Sequence, residues 1–302
     1  MSAAGPPQSA RPLRGKRRAA PHGGHPTSTG EFAARAQFAG ELAREAAALA
    51  HRYFTGELAF TAEAKGERQD WVSVADHAVE RFIRDALAQR YPHDTMLGEE
   101  AGGAVTERVW VVDPIDGTLN FVHGMRYWCV SIAYLERGVR RAAAIHDPSL
   151  DELFVAASGA GARCTGKTIR VSACASLDQA LLSQGYVHRH DLDTHLAMRR
   201  ALLTAGAAVK DPGAGALMLA HVAAGRFDGF YEPHMHPWDA AAGLLLIEEA
   251  GGRVGPYPGP DGLAAGGAVL GAAPGIYDRL AALTRTPVPA PRGASAPERS
   301  GG

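Results

Sequence analysis

The stretch WVVDPIDGTLNF, residues 110–121, constrains this chain more than any other. Val109 to Val112 form an apolar, β-type run that drives directly into two carboxylates, a proline and a glycine. Such a run bounded by turn formers reads as a buried strand, and Asp113-Pro114 and Asp116-Gly117 are strong turn pairs. The carboxylates are therefore predicted where a strand stops, which in open α/β sheets is where ligands bind. The pentad DPIDG alone is equally compatible with loop punctuation, so its meaning depends on what other acids the chain offers.

Two further acidic clusters answer that need. Glu99-Glu100, in LGEEAGG, follows an apolar pair and precedes two glycines, and Asp239, in PWDAAAG, sits at the start of a helical pattern. Each has an ordinary reading: Asp239 as a first-turn acid favourable to the helix dipole by about 0.3–1 kcal/mol, the glutamates as a solvated loop pair. Three such coincidences are needed to dismiss all three clusters. Carboxylates from separate places with few lysines nearby suit a hard divalent cation such as Mg²⁺, which takes oxygen ligands and keeps several waters.

Composition limits the partners. The chain has 302 residues, 46% hydrophobic and 21% charged, enough to bury a sizeable core. A net charge of -1 gives no general attraction for nucleic acid or an anionic membrane. No stretch approaches the roughly 20 apolar residues of a membrane span. Cys129, Cys164 and Cys174 are odd in number and scattered, which points to a reducing, cytoplasmic compartment rather than a disulfide framework. Residues 1–30 carry Arg11, Arg14, Lys16, Arg17 and Arg18 among Pro, Gly, Ser and Ala and read as a disordered basic tail, as do residues 285–302 without the basic cluster. The ordered domain is predicted over 31–284.

Within it, Phe38, Leu42, Ala46, Leu49 and Tyr53 mark one helical face. Ser73 and Asp76 suggest a capping box opening a second helix, with Val79, Phe82, Ile83, Ala86 and Leu87 on its buried side and Tyr91-Pro92 ending it. Val130 to Leu135 and Ala142 to Ile145 read as strands, and Ala214 to Ala224 and Ala240 to Ala250 as helices, the second closed by Gly251-Gly252. This order of helices, strands and then alternation predicts a layered α/β (α+β) domain.

GEE, WVVDPIDGTLNFVHG running on to VSIA, and WDAAAGLLLIEEAGG together resemble the signature segments of the inositol monophosphatase family of Mg²⁺-dependent, lithium-sensitive phosphatases, from about Lys65 to Val254. The resemblance implies an αβαβα layered sandwich, a homodimer and two or three Mg²⁺ ions. It implies metal ligands at Glu99, Asp113, the carbonyl of Ile115, Asp116 and Asp239. Glu99 and Thr118 would align the attacking water, with Asp76 and Lys65 near the outer metal. Gly117, Thr118, Gly213 and Ala214 would contact substrate beside Asp116, and Glu232 would accept hydrogen bonds from a polyol. Cations about 3.5–4 Å apart can hold the attacking and leaving oxygens of an in-line displacement, and a metal lowers the pKa of bound water toward 7.

Other patterns fit less well. Haloacid dehalogenase phosphatases need Asp-x-Asp, whereas Asp113 and Asp116 are separated by two residues and Pro114 follows the would-be nucleophile. His188, His190, His195, His234 and His236 lack zinc-ligand spacing. His236, close to Asp239, is the one expected near the substrate rim, and Trp110, Trp128 and Trp238 are expected to pack beside the motifs. The segment KDPGAGALM, residues 210–218, lacks the hydroxyl that the family carries after its glycine, and the link from Glu99 to Asp113 is short. By the resemblance, the first segment lines the alcohol side of the pocket, and the shorter metal loop would leave the pocket more open. Inositol 1-phosphate is the first expectation, ahead of histidinol phosphate or fructose 1,6-bisphosphate, with a catalytically inactive metal-binding homologue as the non-enzymatic alternative.

Overall fold

A computed structural model of the chain describes, besides Met1, residues 28–64, 71–185 and 191–286. In chain order these form α1 (Ser28–Phe54), β1 (Ala62–Ala64), β2 (Trp71–Ser73), α2 (Val74–Arg90), β3 (Thr95–Gly98), β4 (Arg108–Asp116), α3 (Thr118–Val122), β5 (Cys129–Glu136), β6 (Val139–Asp147), β7 (Glu152–Ala157), β8 (Gly161–Cys164) and β9 (Lys167–Thr168). The second half holds β10 (Leu181–Gln184), α4 (Leu192–Thr204), β11 (Ala208–Lys210), α5 (Gly215–Ala223), β12 (Gly229–Met235), α6 (Pro237–Glu249), β13 (Arg253–Val254), β14 (Gly267–Ala272) and α7 (Pro274–Thr284). Strands β3 to β9 form one sheet in sequence order, and β11-β10-β12-β14-β13 form a second.

Strand alternation builds the layers. Trp110 and Val112 of β4 point to one side of the large sheet, into a core shared with α1 and α2. Val109 and Val111 point to the other, into a core shared with α5, α6 and Phe230 and Val269 of the second sheet. Leu182, Leu270 and Ala272 on the outer face of the second sheet pack on α4 and α7. The result is an αβαβα sandwich, as expected.

Local signals explain several boundaries. Ser73 caps α2: its Oγ accepts from the amides of Ala75 and Asp76, while Asp76 Oδ2 accepts from the Ser73 amide at 2.8 Å. Gly251, at φ +87°, follows the end of α6 in the left-handed conformation that favours glycine. Helix α1 departs in detail from its predicted face. Its buried stripe is mainly Ala36, Ala39, Ala43, Ala46, Ala47 and Ala50, with Phe38, Leu49 and Tyr53 half-buried beside it. Alanines let the helix lie close against Ala142 and Ala144 of β6, which larger residues would hold off. Phe82 of α2 is exposed rather than buried, because Val79, Ile83 and Leu87 already fill the contact with the sheet.

The strand runs past Asp113 and stops at Asp116, so only the second aspartate stands at its end. The turn expected at Asp113-Pro114 is a bulge instead. Asp113 pairs with Ser131 and Asp116 with Cys129, so β4 spends three steps where β5 spends two. Regular alternation would send the two carboxylates to opposite faces. The extra residue brings both to the α5/α6 side, where Cys129 is packed and where Ser131 Oγ donates to the carbonyl of Trp238 at 3.0 Å.

Candidate active site

Three places in the chain deliver the four acids. Glu99 leads the turn after β3, Asp113 and Asp116 come from the bulged end of β4, and Asp239 stands in the first turn of α6 behind Pro237. One carboxylate oxygen each from Glu99, Asp113 and Asp239 lie within 4.8 Å of one another. Asp113 is buried, and Glu99 and Asp239 are half-buried. Burial first, then the neighbouring charges of Glu99, Asp239 and Asp116, push the Asp113 carboxyl well above the usual carboxylate range. Buried hard oxygen donors that repel one another in this way fit a divalent cation, which would relieve the repulsion and is the ion such donors prefer.

Asp116 is held differently. Its Oδ1 accepts from the amide of Gly215 at 3.0 Å and its Oδ2 from the amide of Leu217 at 3.1 Å. The cap residue of α5, Ala214, has no side-chain acceptor, so Asp116 satisfies these first-turn amides from another element. The Cys129 thiol also donates to Asp116 Oδ2, at 3.4 Å. Burial raises Asp116 to about 6 in spite of these donors.

The start of α3 is tied to the same place. Thr118 Oγ1 donates to the Ile115 carbonyl at 3.1 Å and to Asp76 Oδ1 at 3.4 Å, and the Ile115 amide donates to Asp113 Oδ1 at 2.9 Å. Gly117, at φ +89°, lies so close to the α5 segment that a Cβ there would sit 2.9 Å from Ala214 Cβ. Asn120, which sequence reasoning missed, donates to the carbonyls of Tyr127 and Pro212 at 2.8 and 2.9 Å and joins the Gly213-Ala214 segment to α3. Its signal was its place one turn after Asp116, a polar residue between the apolar Leu119 and Phe121.

Glu232, buried on β12, packs on the backbone of Gly185, where a Cβ would lie 1.9 Å from its Oε2. His236 stacks on Trp238 with ring centroids 4.7 Å apart, and His234 Nε2 meets the Ala265 carbonyl at 2.8 Å. Trp128 packs against Phe121 and Phe54. Trp110 corrects its expectation: it faces away from the carboxylates, against Phe38, Tyr91 and Tyr134, because alternation puts it on the opposite side of β4 from Asp113. Lys65, His188 and His190 lie outside the described residues.

A second group, Asp147, Glu152 and His221, also lies within 4.8 Å; the sequence reading had not singled out His221. Its carboxylates already have partners within the fold. Arg226 donates to both oxygens of Glu152, and the amides of Ser149 and Leu150 donate to Asp147 Oδ1. Burial, with Arg226 beside it, lowers His221 to about 4.

A sequence model described as the inositol monophosphatase family matches residues 33–287. This chain belongs to the inositol monophosphatase family. Among its relatives is the Nus factor SuhB of Pseudomonas aeruginosa, 42% identical over 202 residues, covering 64% of this chain and 74% of that protein. The crystal structure of the extragenic suppressor protein suhB from Bartonella henselae is 32% identical and superposes with a TM-score of 0.77, over 84% of this chain and 98% of the other. The IMPase of Thermotoga maritima is also 32% identical, with a TM-score of 0.75 over 83% and 97% of the two chains. Family and fold make the chain a phosphatase of that superfamily, a group generally dependent on Mg²⁺. No helix among the described residues is long and apolar enough to cross a membrane.

Proposed function

We propose that the chain is a Mg²⁺-dependent phosphomonoesterase that hydrolyses a small polyol phosphate, inositol 1-phosphate first among the candidates. The observation that carries this reading is the convergence of Glu99, Asp113 and Asp239 within 4.8 Å. These three, with Asp116 and the Ile115 carbonyl, would hold two or three Mg²⁺ ions. Bound there, the ions would supply charge neutralisation at the phosphoryl group and acidify a water. The phosphatase domain is read as residues 31–284, with α1 carrying its start back to Ser28; residues 2–27 and 287–302, where tails are expected, lie outside the described residues.

Glu99 then acts as general base toward the attacking water. The Thr118 hydroxyl spends its proton on Asp76 and the Ile115 carbonyl, so its lone pairs remain to accept a hydrogen bond from that water and orient it. Phosphoryl transfer asks little covalent work of side chains, so alignment of this kind dominates. Gly117 and Thr118 contact the phosphate, while Glu232 accepts hydroxyl hydrogen bonds from the polyol beside Gly213 and Ala214. Loss of a hydroxyl at Ala214 widens the alcohol side, which keeps histidinol phosphate and fructose 1,6-bisphosphate as alternatives.

A homodimer accounts for α4, which exposes Leu192, Leu196 and Leu203 at helical spacing. Three free cysteines suit a reducing, cytoplasmic setting. Relatives named Nus factors raise a second reading, a binding role in transcription. It would survive loss of Asp113, whereas the hydrolytic one would not.

The test is phosphate release from inositol 1-phosphate, histidinol phosphate and fructose 1,6-bisphosphate in Mg²⁺, with and without Li⁺. The reading expects Mg²⁺-dependent, Li⁺-inhibited turnover, fastest on inositol 1-phosphate. No release from any of the three by wild type, with Mg²⁺ bound, would overturn it.

A further inference from the structure

Helix α2 carries acids and a base at successive four-residue steps: Asp76, Glu80 and Arg84. They share one face. Asp76 reaches Thr118. Glu80, 2% exposed, has no place in the hydrolytic scheme, and a buried carboxylate needs a reason to be there.

Its partners supply one. Glu80 Oε2 accepts from the amide of Glu100 at 2.7 Å and Oε1 from the amide of Ala101 at 3.1 Å. These are the two peptide groups that directly follow Glu99. One turn further along α2, Arg84 Nη2 donates to Glu80 Oε1 at 2.7 Å and to the Gly102 carbonyl at 3.0 Å. The turn is closed on its other side by the amide of Gly98 on the Gly102 carbonyl at 3.2 Å, and by the amide of Glu99 on the Val112 carbonyl at 3.2 Å. The seat is tight: a Cβ at Gly98 would stand 2.5 Å from Glu80 Cδ, so the last residue of β3 has to be glycine for the carboxylate to fit.

We propose that Glu80 is a positioning residue for the metal ligand Glu99, with Arg84 as its brace. It grips the turn rather than the cation. Because Asp76 rides on the same rigid helix, α2 sets Glu99 and Thr118 in register with one another. Charge-assisted hydrogen bonds to two amides fix backbone far better than a solvated loop would, and removal of such an outer partner typically weakens metal binding about 10–100-fold. This proposal rests on the reading of Glu99 as a Mg²⁺ ligand.

The experiment measures Mg²⁺ binding by calorimetry on the full-length chain, without substrate, for wild type, Glu80→Gln and Arg84→Met. Glu80→Gln keeps the size but turns an amide N–H toward a peptide N–H. The expected result is a Mg²⁺ dissociation constant raised about tenfold or more in Glu80→Gln and less in Arg84→Met. At saturating Mg²⁺, KM for the phosphoester should stay within about twofold of wild type, because a positional defect is filled by mass action. A merely structural role would instead lower thermal stability and leave Mg²⁺ affinity within about twofold of wild type in both variants, and that result overturns the proposal. If Glu80→Gln fails to fold, Arg84→Met decides alone by the same criterion. Binding needs no turnover, so Mg²⁺ affinity that falls as expected in a chain hydrolysing no phosphoester would retain the clamp and reject the phosphatase. Wild type that binds no Mg²⁺ would reject the clamp.

Discussion

Replacing Asp113 by asparagine should make the metal-free protein more stable while destroying turnover. Two unit charges within 4.8 Å of one another at an effective dielectric of 20 repel by at least about 3.5 kcal/mol, and Asp113 faces both Glu99 and Asp239. The wild-type protein escapes part of this by holding a proton, which is why Asp113 titrates well above its ordinary range. The sign follows. With a folded pKa above the unfolded one, each rise in pH through that window costs the wild type about 1.4 kcal/mol per unit. Asparagine does not ionise, keeps an acceptor for the Ile115 amide, and can donate to Asp239. At pH 8 in EDTA, Asp113→Asn should gain about 3 kcal/mol, one pair's worth. For a domain of this size that is a rise in Tm of about 6–12 °C. At pH 4, where Asp113 is protonated, the difference should vanish. Adding Mg²⁺ at pH 8 should raise Tm of wild type but not of the variant. Calorimetric scans at the two pH values check each step. A variant less stable than wild type in EDTA at pH 8 would refute the reasoning, since it would mean the carboxylates are not crowded.

Further outcomes follow from the same geometry. Thr118→Ala should lower kcat by about 10²-fold with little change in Tm, and Thr118→Ser should recover most of it, as read by phosphate release. Mg²⁺ affinity should weaken as pH falls through about 6, where Asp116 gains a proton, and calorimetry in buffers of different ionisation enthalpy should register proton release on binding. Gly185→Ala would drive a Cβ into Glu232, so KM for a polyol phosphate should rise several-fold more than kcat falls; an unchanged KM would remove Glu232 from the substrate pocket. Gly117→Ala, strained at φ +89° and crowded against Ala214, should cost about 1–3 kcal/mol of stability in a denaturant titration.

Much of the scaffold was legible in the sequence. The Ser73-Asp76 box, the glycine after α6 and the apolar runs of β4 and β5 are local signals, and local physics decides them. The layered class followed from element order, while the sandwich itself rested on resemblance. The bulge at Asp113 was not legible. Asp-Pro and Asp-Gly favour turns in isolation, but the ladder to β5, whose register the local sequence does not set, and the α5 amides that capture Asp116 from 99 residues away hold the segment extended. Glu80 was invisible for a related reason: a glutamate four residues before an arginine on a helix reads as an exposed ion pair, and only the fold shows a turn seated on it. Trp110 misled because adjacency in sequence along a strand means opposite faces in space.

The most direct test of the cage of carboxylates is a crystal of this protein grown with Mn²⁺, with anomalous scattering collected at the manganese edge. The account predicts a peak within coordination distance of Glu99, Asp113 and Asp239 together, lost in Asp113→Asn. Manganese-supported phosphate release from a crystal form whose only peaks lie elsewhere would contradict it.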